Sequence, residues 1–444
     1  MTSKHAGAKP GPSGLTLRSY NVGFGDCFLL TFHYAQEARH ILIDFGTTRA
    51  PAGKDMAKHL LEIARSIGEA CGGKLDAVVA THRHKDHISG FARAGGKGPG
   101  QIIRELRPDL VVQPWTEDPD ARADATAPTG ATRNRPRQAT RAHLVMLDDM
   151  NRFAGYVKAA SARLRGTHLD AIRAQLAFLG DDNDLPNRDA VENLRTMGRT
   201  SRYVHAGEKS GLEKILPGVK THVLGPPTLT QHAAIRKQSQ TNADEFWQLM
   251  GARADFWARR GRIARAGQAA TTALFPAYVE SRHPWDMRWY RYQAQREQAE
   301  NLLSVVRILD GQMNNTSVIL LFEVKGKFVL FPGDAQIENW QYALSDPNTV
   351  ARLADVSLYK VGHHGSRNAT PRTLWNGFAA RGGKSMKGRL ITVLSTLDHV
   401  HGSEDRHTEV PRQTLLDALG KESELHDTRE IGAGALCSIT RFQF

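Results

Sequence analysis

Short apolar runs separated by glycine-containing turns mark where order begins in this chain. Leu15–Val22, Cys27–Phe32 and His40–Phe45 are rich in strand-forming residues and read as an N-terminal β-meander. The period then changes. From Asp55 to Cys71, residues Met56, Leu60, Ile63, Ala64, Ile67 and Cys71 recur at spacings of three and four, which predicts an amphipathic helix facing the sheet. Leu75–Thr81 is apolar without alternation, a strand buried on both faces, and it ends in a His-rich loop. Strand patterning returns at Val219–Leu224 before Gly225-Pro226-Pro227, and at Ser317–Val324 and Lys327–Phe331, joined as a hairpin through a Lys325-Gly326-Lys327 turn. Val356–Val361, Leu390–Ser395 and Leu436–Phe442 complete a second set, with a helix at Gln413–Leu419.

Between these two β-rich regions the pattern turns mainly helical, at Arg141–Lys158, Leu169–Leu179, Ala243–Arg265 and Trp289–Leu303, while Ala121–Ala139 is a polar, Arg-rich, proline-containing stretch. The division expected is a disordered Gly/Pro leader over residues 1–14, one half of an α/β body over 15–100, a mainly helical, Arg-rich insertion over 101–310 that carries a core strand near 219–227, and the second half over 311–444. No repeat with a period of about 20–50 residues is present.

Composition adds bounds rather than identity. The 444 residues, 40% hydrophobic and 24% charged, suffice for a large core without disulfide or metal staples. Formal charge is +13 at pH 7, which favours an anionic partner and excludes an acidic solvating chain. No run approaches the roughly 20 apolar residues of a membrane span, and Met1–Gly14 has no apolar signal region, so a soluble cytoplasmic protein is expected, with no membrane partner. Cys27, Cys71 and Cys437 lack metal or redox spacing and read as small hydrophobes in a reducing compartment.

The densest chemistry is His82-Arg83-His84-Lys85-Asp86-His87, directly after the buried strand. Alternate residues of an extended segment share a face, so His82 and His84 can address one metal while Asp86 and His87, in a tighter turn, address a second. Further candidates fall at other strand ends. They are Asp44 in Ile41-Leu42-Ile43-Asp44-Phe45-Gly46, Asp334 in Phe331-Pro332-Gly333-Asp334, His363-His364-Gly365-Ser366 after Ser357–Val361, and His401 and His407 in a polar loop. Several His and Asp residues gathered at strand ends are what a binuclear site with open positions for water needs.

The ordered series Asp44, His82-x-His84-x-Asp86-His87, Asp334 and His363/His364 resembles the metallo-β-lactamase fold superfamily. Asn21-Val22-Gly23-Phe24-Gly25-Asp26, Leu224-Gly225-Pro226-Pro227, Asn314-Asn315-Thr316-Ser317 and Lys360-Val361-Gly362-His363-His364-Gly365-Ser366 are similar to the soluble hydrolase domain of ComEC-type DNA-uptake proteins. The resemblance covers about residues 15–100 and 310–444, with an outlier at 219–227. It implies an αββα four-layer sandwich holding two divalent ions, zinc or manganese. His82 and His84 would bind one ion, Asp86 and His87 the other, with Asp334 bridging and one of His363 and His364 completing the second site. Asn314-Asn315 stands where many members have a third His for the first metal. This chain carries no membrane channel, so DNA uptake does not transfer.

On that resemblance the expected activity is a nuclease or phosphodiesterase in which two ions about 3.5–4 Å apart activate a hydroxide for attack at phosphorus. Asp86 would orient the nucleophile, and His407 would serve as general acid or phosphate donor. Asn315 and Ser366 are candidate substrate contacts, and Asp26 and Asp44 candidate supports of the ligands. Residues 101–310 hold 31 Lys+Arg against 24 Asp+Glu, so the basic excess there is local. Arg133, Arg135, Arg137 and Arg141 form one cluster; Arg253, Arg259, Arg260, Arg262 and Arg265 form another, interleaved with Phe246, Trp247, Phe256 and Trp257. Arginine for phosphate and aromatics for bases suit a single-stranded nucleic acid, with Arg259 and Arg260 as substrate contacts, although those aromatics also have the spacing of a small helical core. Two other readings use the same motifs: a hydrolase of a small anionic ester, nucleotide or lactone, and a catalytically poor metal-binding subunit that binds nucleic acid.

Overall fold

The computed structural model describes residues 11–119, 172–173, 176, 188–228, 230–232, 314–366, 370–400, 409–432 and 434–444. Within them thirteen strands form two mixed sheets. The first sheet contains β1 (Gly14–Tyr20), β2 (Cys27–His33), β3 (Ala38–Phe45), β4 (Ala77–Val79), β5 (Leu110–Pro114), β6 (Thr200–Val204) and β13 (Cys437–Gln443), in the order β13-β1-β2-β3-β4-β5-β6. The second contains β7 (Lys220–Gly225), β8 (Ile319–Val324), β9 (Lys327–Phe331), β10 (Val356–Lys360), β11 (Ile391–Leu394) and β12 (Glu424–Asp427), in the order β12-β11-β10-β9-β8-β7.

Both sheets follow one plan, an antiparallel meander that continues into parallel strands. Short turns connect β1, β2 and β3 antiparallel, whereas β3, β4, β5 and β6 pair in parallel. Parallel neighbours need long crossovers, and helices supply them. These are α1 (Met56–Ala70), α2 (Lys85–Ile88), α3 (Pro99–Glu105) and α4 (Arg188–Met197) on the first sheet. On the second, β7, β8 and β9 are antiparallel and β9 to β12 parallel, with α5 (Ile337–Ala343), α6 (Pro347–Ala354), α7 (Arg372–Gly377) and α8 (Gln413–Glu422) between them. The β8–β9 hairpin turns on Lys325 and Gly326, both at positive φ (48° and 79°), the backbone that a two-residue turn of the primed type requires.

Side-chain alternation divides the core into three layers. Phe28, Leu30 and Phe32 of β2 join Leu320 and Phe322 of β8 and Val329 and Phe331 of β9 between the sheets. The rings of Phe32 and Phe322 lie 5.8 Å apart, those of Phe28 and Phe331 5.7 Å. Cys27 and Leu29 point the other way, onto α1, α3 and α4, as Leu321 and Leu330 do onto the helices of the second sheet. The result is an α/β sandwich of two mixed sheets with helices on the outer faces. Burial on both faces explains the continuous apolar runs in the strands.

The expected strands and the Asp55–Cys71 helix are present with shifted ends; Asp55 caps α1 by accepting from Lys58 N at 2.9 Å. β4 is shorter than Leu75–Thr81, and at its C-terminal side Thr81 N leaves the ladder to donate to Asp44 Oδ1. Two expected boundaries need correction. Ser13 N donates to His33 O and Gly14 opens β1, so order precedes residue 15, while residues 1–10 lie outside the described residues. The 101–310 segment is not an insertion throughout, since β5, α4, β6 and β7 within it belong to the sheets and their helical cover. β6 and β12 were illegible as strands because they are polar edge strands with partly exposed side chains. The expected helices at 141–158, 243–265 and 289–303 lie outside the described residues; of 169–179, Ile172, Arg173 and Leu176 are described and helical. No described helix is long and apolar enough to cross a membrane.

Candidate metal centre

Parallel neighbours deliver their following loops to one edge, and the chemistry-bearing side chains collect there. Asp44 is near the end of β3, His82 to His87 follow β4, Asp334 follows β9, Lys360 ends β10 with His363 and His364 after it, and Ser395 follows β11. Close backbone packing sets the loop heights. Asp26 N donates to Asp86 O at 2.9 Å, and a Cβ on Gly25 would lie 2.7 Å from that same oxygen. A Cβ on Gly46 would lie 2.5 Å from Lys85 O, so glycine at both positions lets the β1–β2 and β3 turns touch the His-rich loop.

Asp86, His87, Asp334 and His364 form a fully buried group whose ligand atoms all lie within 4.8 Å of one another. His87 Nε2 is 3.1 Å from Asp334 Oδ2, and His364 Nε2 is 2.9 Å from Asp86 Oδ2. His82 Nε2 and His84 Nδ1 sit 3.0 Å apart, with the His82 ring 4.2 Å from that of His87 between centroids. Three of these rings are anchored at Nδ1. His87 Nδ1 bonds Asp44 Oδ2 at 2.8 Å, His364 Nδ1 bonds the Ser395 carbonyl at 3.0 Å, and His82 Nδ1 bonds Thr81 Oγ1 at 3.2 Å. Three buried imidazoles are thus held at Nδ1 and present Nε2 inward, the arrangement by which an acceptor behind a ring fixes the tautomer of a metal ligand.

The residues fit a metal ion. Mixed imidazole and carboxylate donors suit zinc, manganese and similar divalent ions. Among the described residues Asp86 Oδ1 is buried without a hydrogen-bond partner, a costly state for a carboxylate that a cation relieves. A second group, Asp26, Asp44 and His87, is equally buried, but Asp44 and one oxygen of Asp26 are engaged elsewhere. Asp44 accepts from Thr81 N and Oγ1 at 2.7 Å as well as from His87, and Asp26 Oδ2 forms an ion pair with Lys360 Nζ. That group supports the first.

Charge follows the same division. Burial pushes His82 well below the usual imidazole range and His84 down to about 4, which leaves both neutral, the state a ligand needs. Burial also opposes a charge on His87 and His364, yet Asp334 and its neighbouring carboxylates outweigh it and hold both rings above their ordinary value. Burial would raise Asp86 and Asp334, but the His87 and His364 rings hold both low. Without an ion, protons on His87 and His364 balance these carboxylates.

The backbone is strained here. Asp44, His363 and His364 have φ of 55°, 43° and 50°, unusual for residues with a Cβ, and all three sit at the cluster. Of the His363-His364 pair, His364 is in the buried group. The side chain of His363 is 25% exposed, with Nδ1 3.0 Å from Ser366 Oγ and Nε2 3.8 Å from Asp334 Oδ2. Asn315 Nδ2 donates to Glu338 Oε2 at 3.3 Å, and Asn314 is buried with no hydrogen-bond partner for its amide. Arg83, on the opposite face from His82 and His84, lies 3.4 Å from the buried Glu117. His401, His407, Arg259, Arg260 and the other residues of the Arg and aromatic clusters in 101–310 lie outside the described residues.

Sequence reasoning gave no role to Lys360, Thr81 or Ser395. Lys360 had a signal, a lysine ending the otherwise apolar strand Val356–Lys360. Thr81 and Ser395 had none, since they act through a side chain or carbonyl whose direction depends on packing. No family model and no curated protein matches this chain.

Proposed function

We propose that this chain is a metal-dependent hydrolase of the metallo-β-lactamase fold superfamily, cleaving phosphodiester bonds of nucleic acid at a binuclear centre. The observation that carries the reading is the buried group Asp86, His87, Asp334 and His364, in which the two imidazoles are tied at Nδ1 and face the carboxylates through Nε2. The order of the motifs along the chain and the sandwich of two mixed sheets support the fold assignment. His82 and His84 would hold one ion, Asp86, His87 and His364 the other, and Asp334 would lie between them. Divalent ions there supply Lewis acidity toward a phosphoryl oxygen and lower the pKa of bound water. The protein's own work is to keep the donors neutral or ionised as required and to seat the His-rich loop tightly on the backbone at Gly25 and Gly46. His363, at the partly exposed rim with the buried Ser366 Oγ 3.0 Å from its Nδ1, is placed to meet a substrate oxygen. The chain's +13 charge favours a polyanion.

The test is incubation of the protein, reconstituted with manganese or with zinc, with labelled single- and double-stranded DNA, RNA and a small phosphodiester. A chelator and Asp334→Ala are the controls. Metal-dependent polynucleotide cleavage, lost in both controls, is the expected result. Turnover of the small diester alone would move the reading to a small-ester hydrolase, and no turnover of any substrate would leave a binding module.

A further inference from the structure

Lys360 is 1% exposed and lies between the carboxylates of Asp26 and Asp334. Its Nζ forms an ion pair with Asp26 Oδ2 and stands 3.7 Å from Asp334 Oδ1. The other oxygen of Asp334 has different neighbours. Oδ2 is 3.1 Å from His87 Nε2, 3.7 Å from His364 Nε2 and 3.8 Å from His363 Nε2. The two oxygens of one carboxylate therefore face opposite ways, Oδ1 toward a protein cation and Oδ2 toward the imidazoles. An ammonium on a flexible stem would not impose that orientation, but here Asp26 fixes it. Asp26 is itself held, its backbone N on Asp86 O at 2.9 Å and its carbonyl accepting from Gly46 N at 3.1 Å. Lys360 also lies 5.8 Å from the centre of the Phe28 ring in the inter-sheet core, which limits its stem from below.

We infer that Lys360 is a positioning residue: locked by Asp26, its ammonium holds Asp334 Oδ1 aside so that Oδ2 alone is presented to the metal ions. This rests on the metal-centre reading above and adds a protein cation to it. It also gives the Asp of Asn21–Asp26 a task, beside its direct approach to two rings of the centre, Oδ1 lying 3.6 Å from His364 Nδ1 and Oδ2 3.8 Å from His87 Nδ1. A carboxylate free to turn would offer the ions either oxygen, and the site would bind them more weakly and with less defined geometry.

Lys360→Met alone would leave Asp26 buried without its partner, so the informative variant is the neutral pair Asp26→Asn/Lys360→Met, which removes both charges together. Manganese affinity is measured by calorimetry for wild type, the neutral pair, Asp334→Asn and the triple variant, with thermal unfolding confirming that each is folded. The expected result is a loss of affinity of about tenfold or more in the neutral pair and no further loss when it is added to Asp334→Asn, because the effect runs through that carboxylate. Independent losses that add in the triple variant, or a neutral pair that binds manganese as wild type does, would overturn the inference while leaving the metal centre standing. Should the neutral pair not fold, Asp26→Asn/Lys360→Gln, alone and in the Asp334→Asn background, replaces it in the same comparison. A wild-type protein that binds no manganese would overturn the metal-centre reading and this inference with it.

Discussion

His87 Nδ1 donates to Asp44 Oδ2 across 2.8 Å, and this contact directs His87 Nε2 toward Asp334. Asp44 is in turn fixed by Thr81, whose backbone N and hydroxyl each donate to it at 2.7 Å. A strand-end carboxylate, a threonine and an imidazole thus form one relay that aims a nitrogen into the cluster. Replacing Asp44 by Asn changes the acceptor to an amide that can pair with only part of this set. Asp44→Asn is expected to weaken zinc or manganese binding by about 10–100-fold. Calorimetric titration checks it, and unchanged affinity would remove Asp44 from the supporting role.

The charge states of the cluster predict opposite pH responses for the metal-free and metal-loaded protein. His87 and His364 are held above their ordinary value of 6.5, so their contribution to the metal-free fold is present below about that pH and is lost as pH rises through the folded values. Asp86 and Asp334 are held below 3.8, so theirs is present above that pH and lost as pH falls through the folded values. The metal-free protein should therefore be most stable between these limits. Metal binding displaces the imidazole protons, so affinity should rise with pH and the increase in Tm on adding manganese should be larger at about pH 8 than at about pH 6. Thermal unfolding with and without chelator across that range measures both trends.

Gly46 is where the β3 turn meets the His-rich loop, and a methyl group there would stand 2.5 Å from Lys85 O and 2.6 Å from the carbonyl carbons of Asp86 and His87. Backbone cannot yield as a flexible side chain does. Gly46→Ala is expected to cost about 1–3 kcal/mol of stability and to lower metal affinity together with it, because the strain falls on the ligand segment. Urea unfolding of the metal-free form separates the two effects. Wild-type values in both measurements would show that the loop is not held by this contact.

The seam between the sheets should matter for stability and little for the chemistry. Phe32 is fully buried and its ring lies 5.8 Å from that of Phe322 on the facing sheet. Phe32→Ala is expected to destabilise the fold by about 3–5 kcal/mol, by lost transfer energy and the cavity left behind. Denaturant midpoints measure it, and metal affinity of the folded fraction should be unchanged.

Much of this was written in local pattern. The meander, the Asp55-capped helix, the Lys325-Gly326 hairpin and the His82–His87 loop are visible because periodicity, turn chemistry and ligand density are properties of neighbouring residues. The edge strands β6 and β12 were not visible, since half-exposed positions carry polar residues and erase the alternation. Neither were the partners of the imidazoles. Local spacing names His82, His87 and His364 as candidates but not the atom each offers, and that depends on Thr81, Asp44 and Ser395 reaching Nδ1 from separate strands. The same holds for Lys360, which pairs with a residue more than three hundred positions earlier and faces one oxygen of Asp334. Residue types and their order along the chain thus supply the ligand inventory. Tertiary packing decides direction, because sequence-distant strands of both sheets must end at one buried edge before any side chain has a fixed neighbour.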